Sequence, residues 1–206
     1  MEMLLVRHGR PVSEHAADGG ADPQLSEEGR RDAGLLAEYL ASGMVPAPDA
    51  VWTSPMRRAR ETAGYLVDRM ALPLRVDDRL AEFDAGAPSY VPVEEASDTE
   101  QAELWRALET GRWGAHRFDP DEFERRVRAA FDDVVGSGSG GVVAVVCHGG
   151  VINSYLGGLL ARPRGMFCRL DYTSVSRVLA SRRGHRQLGS LNETAHLRLV
   201  RPSGPG

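Results

Sequence analysis

Two histidines in this chain each follow an apolar segment and directly precede a glycine. His8 comes after the apolar residues 2–6, and His148 comes after the apolar run 142–147. Both segments have the length and composition of buried β-strands. In an open α/β sheet, the loops at the carboxyl ends of neighbouring strands meet at the ligand site. Either histidine alone is more simply a hydrogen-bonded loop or core residue, but the repeated pattern favours a shared site.

A third motif, residues 54–63, contains three arginines and follows the short apolar segment 50–53. If a helix begins here, its first N–H groups and its dipole favour an anion. Neighbouring helix positions point in different directions, so the three arginines cannot all face one ligand. Some of the three are therefore better explained as solvated charges on a basic helix face.

The remaining pattern alternates strands and helices. Ser26 is placed to cap a helix, and Pro55 suits the first turn of the next one. Two later helices are predicted over residues 121–135 and 150–160. Strands and helices in alternation with short links are typical of a parallel sheet covered on both faces. We therefore predict a three-layer α/β/α sandwich with a mostly parallel central sheet.

Residues 84–120 differ in composition, with scattered prolines and a predicted helix at 99–110. We expect a small cap-like insert that covers one edge of the sheet, within a single domain spanning residues 1–206. Its aromatic residues are candidates for a leaving-group pocket or for the insert's own small core. These are Tyr90, Trp105, Trp113 and Phe118.

Three weaker patterns concern the second half of the chain. The glycine-rich residues 136–141 predict a flexible loop. Residues 174–180 and 187–191 predict a hairpin, and residues 201–206 a loose tail.

Composition narrows the classes of function. The formal net charge is −4, hydrophobic residues make up 42% of the chain, and charged residues make up 26%. This balance argues against nucleic-acid binding and against attraction to acidic membranes. Neither a transmembrane run nor a signal peptide is visible, so we expect a cytoplasmic protein with free thiols at Cys147 and Cys168.

Taken together, the motifs resemble those of the histidine phosphatase superfamily, also called the phosphoglycerate mutase-like family. The matching segments are Arg7-His8-Gly9, residues 54–63 with Arg58 before alanine, residues 80–82, and His148-Gly149-Gly150. Residues 22–29 and 191–197 resemble further family segments. Their order and spacing fit the family over nearly the whole chain, and the resemblance implies its α/β fold.

The resemblance also implies a mechanism. His8 would attack phosphorus and become a phosphohistidine, which divides one displacement into two easier ones. Arg7 and Arg58 would bind the phosphate oxygens through forked, charge-assisted hydrogen bonds. The resemblance selects Arg58 from the three arginines of its motif, and Arg57 and Arg60 are expected to be surface charges. His148 would supply a further donor, and Gly149 would lie against the phosphate.

Glu82 is the residue that the resemblance implies as the acid for the leaving group, for which a raised pKa is expected. Asp84 is the rival candidate. We predict no cofactor and no metal, because the histidines lack the spacing of paired metal ligands. His15, His116, His185 and His196 are expected to be structural or exposed, and a packing role is expected for His196.

Residues just after His8 bear on the choice between phosphatase and mutase. Mutases of this family continue the motif with an acid and reach an Asn six residues beyond the nucleophile, whereas this chain has Arg10 and Glu14 there. The prediction is a phosphomonoesterase of the phosphatase branch, acting on a small phosphorylated metabolite. A phosphoglycerate mutase-type phosphotransferase and a non-catalytic phospho-ligand binding protein stay open as alternatives. A homodimer through an edge of the sheet is also an expectation.

Overall fold

The structure is a computed structural model that describes residues 1–16, 20–137 and 140–198. Its strands are β1 (Glu2–Arg7), β2 (Glu14–His15), β3 (Ala50–Thr53), β4 (Leu74–Val76), β5 (Ser89–Tyr90), β6 (Arg112–Trp113), β7 (His116–Arg117), β8 (Val142–Cys147), β9 (Val175–Ala180) and β10 (Arg186–Glu193). Its helices are α1 (Glu27–Ala41), α2 (Arg57–Met70), α3 (Asp98–Thr110), α4 (Pro120–Ser137), α5 (Gly149–Leu159) and α6 (Ala195–Arg198).

Six strands form the main sheet in the order β10-β9-β1-β8-β3-β4. The strands β1, β8, β3 and β4 are parallel, and β9 pairs antiparallel with both of its neighbours. Two small antiparallel pairs, β2 with β5 and β6 with β7, lie outside this sheet. The predicted mostly parallel central sheet is therefore confirmed.

Alternate residues of the central strands face opposite layers of helices. Leu4 and Val6 of β1 pack in one core cluster with buried residues of α1 and α2. Met3 and Leu5 pack in a second cluster with α4 and α5. Because the central strands are covered on both faces, their interior residues are apolar. The predicted three-layer α/β/α sandwich is confirmed.

One predicted helix start is correct and one is wrong. The side chain of Ser26 caps α1 by accepting the N–H of Gly29 at 3.0 Å. The helix α2 begins at Arg57, so Pro55 lies before it rather than in its first turn. The carboxylate of Asp22 accepts the N–H of Arg57 at 2.9 Å. A residue 35 positions earlier in the chain therefore caps the start of α2.

The later elements match the predictions with small shifts. The helix α4 extends to Ser137, so it takes up the start of the predicted loop at 136–141, and residues 138–139 lie outside the described residues. The hairpin of β9 and β10 is confirmed. The predicted tail, residues 201–206, also lies outside the described residues.

The segment 84–120 contains β5, α3, β6 and β7. Ala107 of α3 belongs to the same core cluster as Phe123 of α4, so the segment packs against the sandwich. Tyr90 and Trp105 line a cleft at the carboxyl ends of β1 and β8. These contacts place the segment beside the carboxyl ends of β1 and β8, and its coverage of a sheet edge stays a prediction.

Within the described ranges, none of the helices is long and apolar enough to cross a membrane.

Candidate active site

The loop after β1 fixes His8 through contacts of its neighbour Gly9. The N–H of Gly9 donates to the hydroxyl of Thr62 on α2 at 2.9 Å. A Cβ atom added at Gly9 would lie 2.7 Å from the carbonyl oxygen of Gly29, at the start of α1. The close approach of these two backbones requires glycine and holds His8 at the end of its strand.

The ring of His8 is buried and has a defined hydrogen-bonding state. Its Nδ1 lies 2.8 Å from the carbonyl oxygen of Gly9. Because a carbonyl only accepts, Nδ1 carries the proton and donates it. Burial, followed by the charges of Arg58 and Arg7, lowers the pKa of His8 well below its ordinary value. A neutral ring protonated at Nδ1 leaves a lone pair on Nε2.

His148 lies directly after β8, and the centre of its ring is 5.0 Å from that of His8. Its Nε2 is 2.7 Å from the hydroxyl of Ser54, at the end of β3. In the described part of the chain, its buried Nδ1 has no hydrogen-bond partner. Burial and the nearby charge of Arg58 lower the pKa of His148 well below its ordinary value.

Arg7, the last residue of β1, is held by one hydrogen bond and one ring. Its Nη1 donates to the carbonyl of Leu170, and its guanidinium carbon lies 3.8 Å from the centre of the Tyr172 ring. This stacking is a favourable cation–π contact. Its Nε is buried and finds no partner among the residues that the structure describes.

Arg58, in the first turn of α2, is almost fully buried. Its Nη2 donates to both carboxylate oxygens of Asp84, at 2.8 and 3.0 Å. Its guanidinium carbon lies 4.6 Å from the centre of the Tyr90 ring. Its Nε and Nη1 are buried without a partner in the described ranges. The Nη2 group of Arg58 is therefore paired with a carboxylate, whereas its Nε and Nη1 groups are available to donate to a ligand.

Glu82 is a buried carboxylate held by two backbone N–H groups. One oxygen accepts from Gly150 at 2.7 Å, and the other accepts from Phe83 at 2.9 Å. A Cβ atom added at Gly150 would lie 2.4 Å from the Glu82 carboxylate, so this position requires glycine. Burial, and then the carboxylate of Asp84, raises the pKa of Glu82 to about 7. The side chain can therefore both give and take a proton near neutral pH.

These groups form a site suited to an anion. Arg7, His8, Arg58, Glu82 and Gly149 line one cleft, and His148 lies beside His8. A buried donor without a partner costs about 1–3 kcal/mol. The unpartnered donors of both arginines, beside the unpartnered Nδ1 of His148, therefore favour a bound group rich in oxygen. Gly149 opens α5, where backbone N–H groups also attract anions.

The structure brings together every residue predicted for the site and keeps four others out. Arg57 and Arg60 are exposed, as predicted, and Arg57 pairs with Glu61 at 2.8 Å. The structure also places Arg10 and Glu14 outside the cleft lining.

Arg10 is held by two glutamates, Glu28 at 3.0 Å and Glu95 at 2.8 Å. Glu14 lies in β2, where it pairs with Tyr90 of β5. Arg10 therefore has ion-pair partners that account for it without a ligand, and the backbone of Glu14 is held in a strand pair.

Sequence reasoning missed several partners of the site. Ser54 lies within the second motif, so its position there was a usable signal for its contact with His148. Tyr172, which stacks on Arg7, comes from a segment with neither a motif nor a periodic pattern. The same is true of Met166 and Leu170, which line the cleft.

Of the predicted aromatic residues, Tyr90, Trp105 and Trp113 line the cleft, whereas Phe118 does not. The ring of Phe118 stacks on Phe83 with 5.1 Å between ring centres. It belongs to the aromatic support beneath the cleft rather than to its wall.

The predicted packing role of His196 is confirmed, because it is buried and bonds through Nε2 to the Thr173 hydroxyl at 2.9 Å. Burial lowers the pKa of this ring to about 4. Neither cysteine is in a disulfide, as predicted, and Cys147 is buried. Among the described residues, no cluster of three or more histidine, cysteine or acidic side chains could hold a metal ion.

A family model for the histidine phosphatase superfamily (branch 1) matches residues 3–194. A bifunctional protein of Mycobacterium tuberculosis is 34% identical over 208 residues, which is 95% of this chain but 54% of that protein. The chain thus spans about half the length of this curated relative. A probable phosphoglycerate mutase of Yersinia enterocolitica is 31% identical over 186 residues, covering 86% of this chain and 84% of that protein.

Two solved structures have a similar fold. A mycobacterial glucosyl-3-phosphoglycerate phosphatase in complex with VO3 is 25% identical with a TM-score of 0.71, covering 93% of this chain and 98% of its own. A phosphoserine phosphatase mutant of Entamoeba histolytica has a TM-score of 0.71 at 21% identity, covering 95% and 98%. With the family match over nearly its whole length, the chain belongs to the histidine phosphatase superfamily.

Proposed function

We propose that this protein hydrolyses phosphomonoesters through a phosphohistidine intermediate on His8. The observation that carries the proposal is the lone pair on His8 Nε2 amid buried nitrogens of Arg7, Arg58 and His148 that lack partners among the described residues. A phosphoryl group supplies what each lacks: an electrophile for the nitrogen and oxygens for the donors.

The reaction proceeds in two displacements. Nε2 of His8 forms a bond to phosphorus while the bond from phosphorus to the ester oxygen breaks, and Glu82 gives its proton to that oxygen. Water then attacks phosphorus, the N–P bond breaks, and Glu82 takes a proton from the water. Its pKa of about 7 suits both directions of transfer.

Three side chains stabilise the charge on the transferred group. Nε of Arg7, with Nε and Nη1 of Arg58, donates to the non-bridging oxygens. His148 donates from Nδ1, provided that the Ser54 hydroxyl donates to its Nε2. The backbone N–H of Gly149, at the start of α5, donates to the phosphoryl group as well. Fixed donors of this kind lower the barrier because they need no rearrangement as charge develops.

Glu82 is favoured over Asp84 as the acid. Both oxygens of Asp84 accept from Arg58, so this carboxylate is already engaged by the arginine proposed to bind the phosphate. Asp84 is therefore a positioning residue: it orients Arg58, and its charge helps to raise the pKa of Glu82.

Hydrolysis is favoured over a mutase reaction by the charges of the cleft. Phosphoglycerate carries a carboxylate besides its phosphate, and a mutase holds both anionic groups. Among the described basic side chains that line the cleft, Arg169 alone lies outside the phosphate end, and it is 3.4 Å from Glu94. The similarity to the Yersinia relative, a probable phosphoglycerate mutase, keeps a mutase reaction as the second candidate. NMR of 3-phosphoglycerate with a bisphosphoglycerate primer distinguishes released phosphate from 2-phosphoglycerate.

Direct capture of the intermediate tests the proposal. Wild-type enzyme mixed with ³²P-labelled substrate and quenched in alkaline detergent, which preserves phosphohistidine, should carry label on His8 by peptide mapping. Label on a serine or cysteine would refute the mechanism. Binding of phosphate without turnover or label would support the alternative of a non-catalytic phospho-ligand binding protein.

A matched pair of variants on α2 tests the pocket. Arg58→Ala should lower kcat/KM by about 10²-fold or more, on the scale of losing a fixed donor to the transition state. Arg60→Ala, two residues away and exposed, should stay within about twofold of wild type because it lies outside the cleft. Equal losses in both would show that helix stability, not phosphate binding, is being measured.

The expected cytoplasmic location and homodimer stay predictions, as does a small phosphorylated metabolite as the substrate.

A further inference from the structure

The cleft has two chemically different ends. One end holds the charged and polar groups around His8. The other end is a wall of apolar side chains, which consists of Val91, Val93, Leu104, Trp105, Trp113 and Met166. None of these six residues is fully buried, and Trp105 is 37% exposed. An apolar surface left open beside a polar site marks a place where a ligand binds.

The apolar wall is built on the same support as Glu82. Phe83, the next residue, meets the ring of Trp113 edge-on at 6.3 Å and stacks on Phe118 at 5.1 Å. Leu104, Trp113 and Met166 pack against the central core cluster. The wall is thus anchored beside the group that protonates the leaving oxygen, where the alcohol portion of a phosphomonoester would lie.

The polar groups at this end already have partners. Arg169 lies 3.4 Å from Glu94, and the amide of Gln101 donates to the carbonyl of Ala96 at 3.0 Å. A second anionic group on the substrate would have to compete with Glu94 for Arg169. An uncharged apolar group would displace water from the wall and break no ion pair.

We propose that the apolar wall binds the alcohol portion of the substrate, and that the preferred substrates are phosphomonoesters of uncharged alcohols carrying a sizeable apolar or aromatic group. This inference rests on the proposed phosphomonoesterase activity and names its substrate class. Trp105 and Trp113 supply flat faces for a ring, and the aliphatic residues supply contacts for a chain.

The test compares esters whose leaving groups are primary alcohols of similar basicity, so that differences in leaving-group reactivity do not determine the order of kcat/KM. The probes are ethyl, n-hexyl and 2-phenylethyl phosphate, with 3-phosphoglycerate and phosphoserine as doubly anionic competitors. The expected kcat/KM for hexyl and phenylethyl phosphate exceeds that for ethyl phosphate and both competitors by about tenfold or more, as pockets of this kind discriminate.

Two variants of the wall and one control sharpen the test. Trp105→Ala should reduce the ratio of kcat/KM for phenylethyl over ethyl phosphate by about fivefold or more. Val93→Lys should raise the ratio for 3-phosphoglycerate over hexyl phosphate, because it adds a cation to the wall. Leu179→Ala, an exposed apolar residue on β9, should leave all ratios unchanged.

Two results would overturn the inference and would be told apart. Turnover of 3-phosphoglycerate or phosphoserine at tenfold higher kcat/KM than hexyl phosphate would refute the substrate class while leaving the hydrolase intact. Absence of phosphate release from every ester, with no label on His8, would refute the proposed function and this inference together.

Discussion

The loops that follow β1 and β8 look alike in sequence and differ in hydrogen bonding. Both leave neighbouring parallel strands with a His-Gly pair, and the two rings are 5.0 Å apart. His8 bonds through Nδ1 to the carbonyl of Gly9, in its own loop. His148 bonds through Nε2 to the hydroxyl of Ser54, which directly follows β3. The partner of each ring therefore decides which nitrogen stays free.

This difference explains how two identical side chains take opposite roles. In the proposed function both rings are neutral and protonated on Nδ1. His8 uses that proton in its loop and keeps a lone pair, so it can attack phosphorus. His148 uses its lone pair on Ser54 and keeps the proton, so it can donate to an oxygen. The start of α5, directly after His148, also holds the acid, since Gly150 donates to Glu82 at 2.7 Å.

A substitution of His8 tests the difference between the two loops most directly. His8→Ala removes the nucleophile, so kcat should fall by about 10⁴-fold or more, and no label should be trapped on the chain. Steady-state phosphate release and the alkaline quench measure the two effects. Trapped label in this variant would place the nucleophile elsewhere and end the assignment of roles.

His148→Ala should have the next largest effect. It removes one donor to the transferring group, and kcat should fall by about 10²- to 10³-fold. Label should still accumulate on His8, though more slowly, because the nucleophile is intact. If label vanished while the folded state was unchanged by circular dichroism, His148 would share the nucleophilic role and the contrast between the loops would fail.

Asp84→Asn tests whether the charge of Asp84 raises the pKa of Glu82. Protonated Glu82 is needed in the first step, so kcat/KM for alkyl esters should fall as pH rises through about 7. The substitution removes a negative charge that raises this pKa, so the falling limb should move to lower pH. A loss of about tenfold at pH 6 is also expected, because Arg58 loses a charged partner.

The substrate p-nitrophenyl phosphate serves as the control in this pH experiment. Its leaving group departs without protonation, so its rate should not follow the titration of Glu82 in either protein. If the falling limb of the pH profile for alkyl esters did not move in Asp84→Asn, the charge of Asp84 would not be a cause of the raised pKa of Glu82.

Local patterns explain why much of the fold was predictable. The strands at 2–6, 50–53 and 142–147 are buried on both faces, so they read as continuous apolar runs. The start of α2 was not predictable, because Asp22, far away in the sequence, accepts the N–H of Arg57. The position of the segment 84–120 depended on packing against α4, which no local pattern encodes.

The same division holds within the site. His8, His148 and Arg58 stand in short motifs at strand ends, so their convergence could be predicted. The bond from Arg58 to Asp84 and the stacking of Arg7 on Tyr172 join residues that no spacing rule relates. The apolar wall likewise combines the cap with a segment of irregular structure near Met166. These contacts depend on the chain path rather than on sequence neighbours.

The variant with the smallest expected effect tests why His8 and His148 have different free nitrogens. Ser54→Ala removes the partner of His148 Nε2, so the proton of that ring is no longer confined to Nδ1. One neutral hydrogen bond is worth about 1 kcal/mol, which predicts a loss in kcat of about fivefold. Long-range ¹⁵N–¹H NMR should show His148 protonated on Nδ1 in wild type and distributed over both nitrogens in the variant, with His8 unchanged. Wild-type His148 protonated on Nε2 would mean that Ser54 accepts rather than donates, so the free Nδ1 could not donate to phosphate.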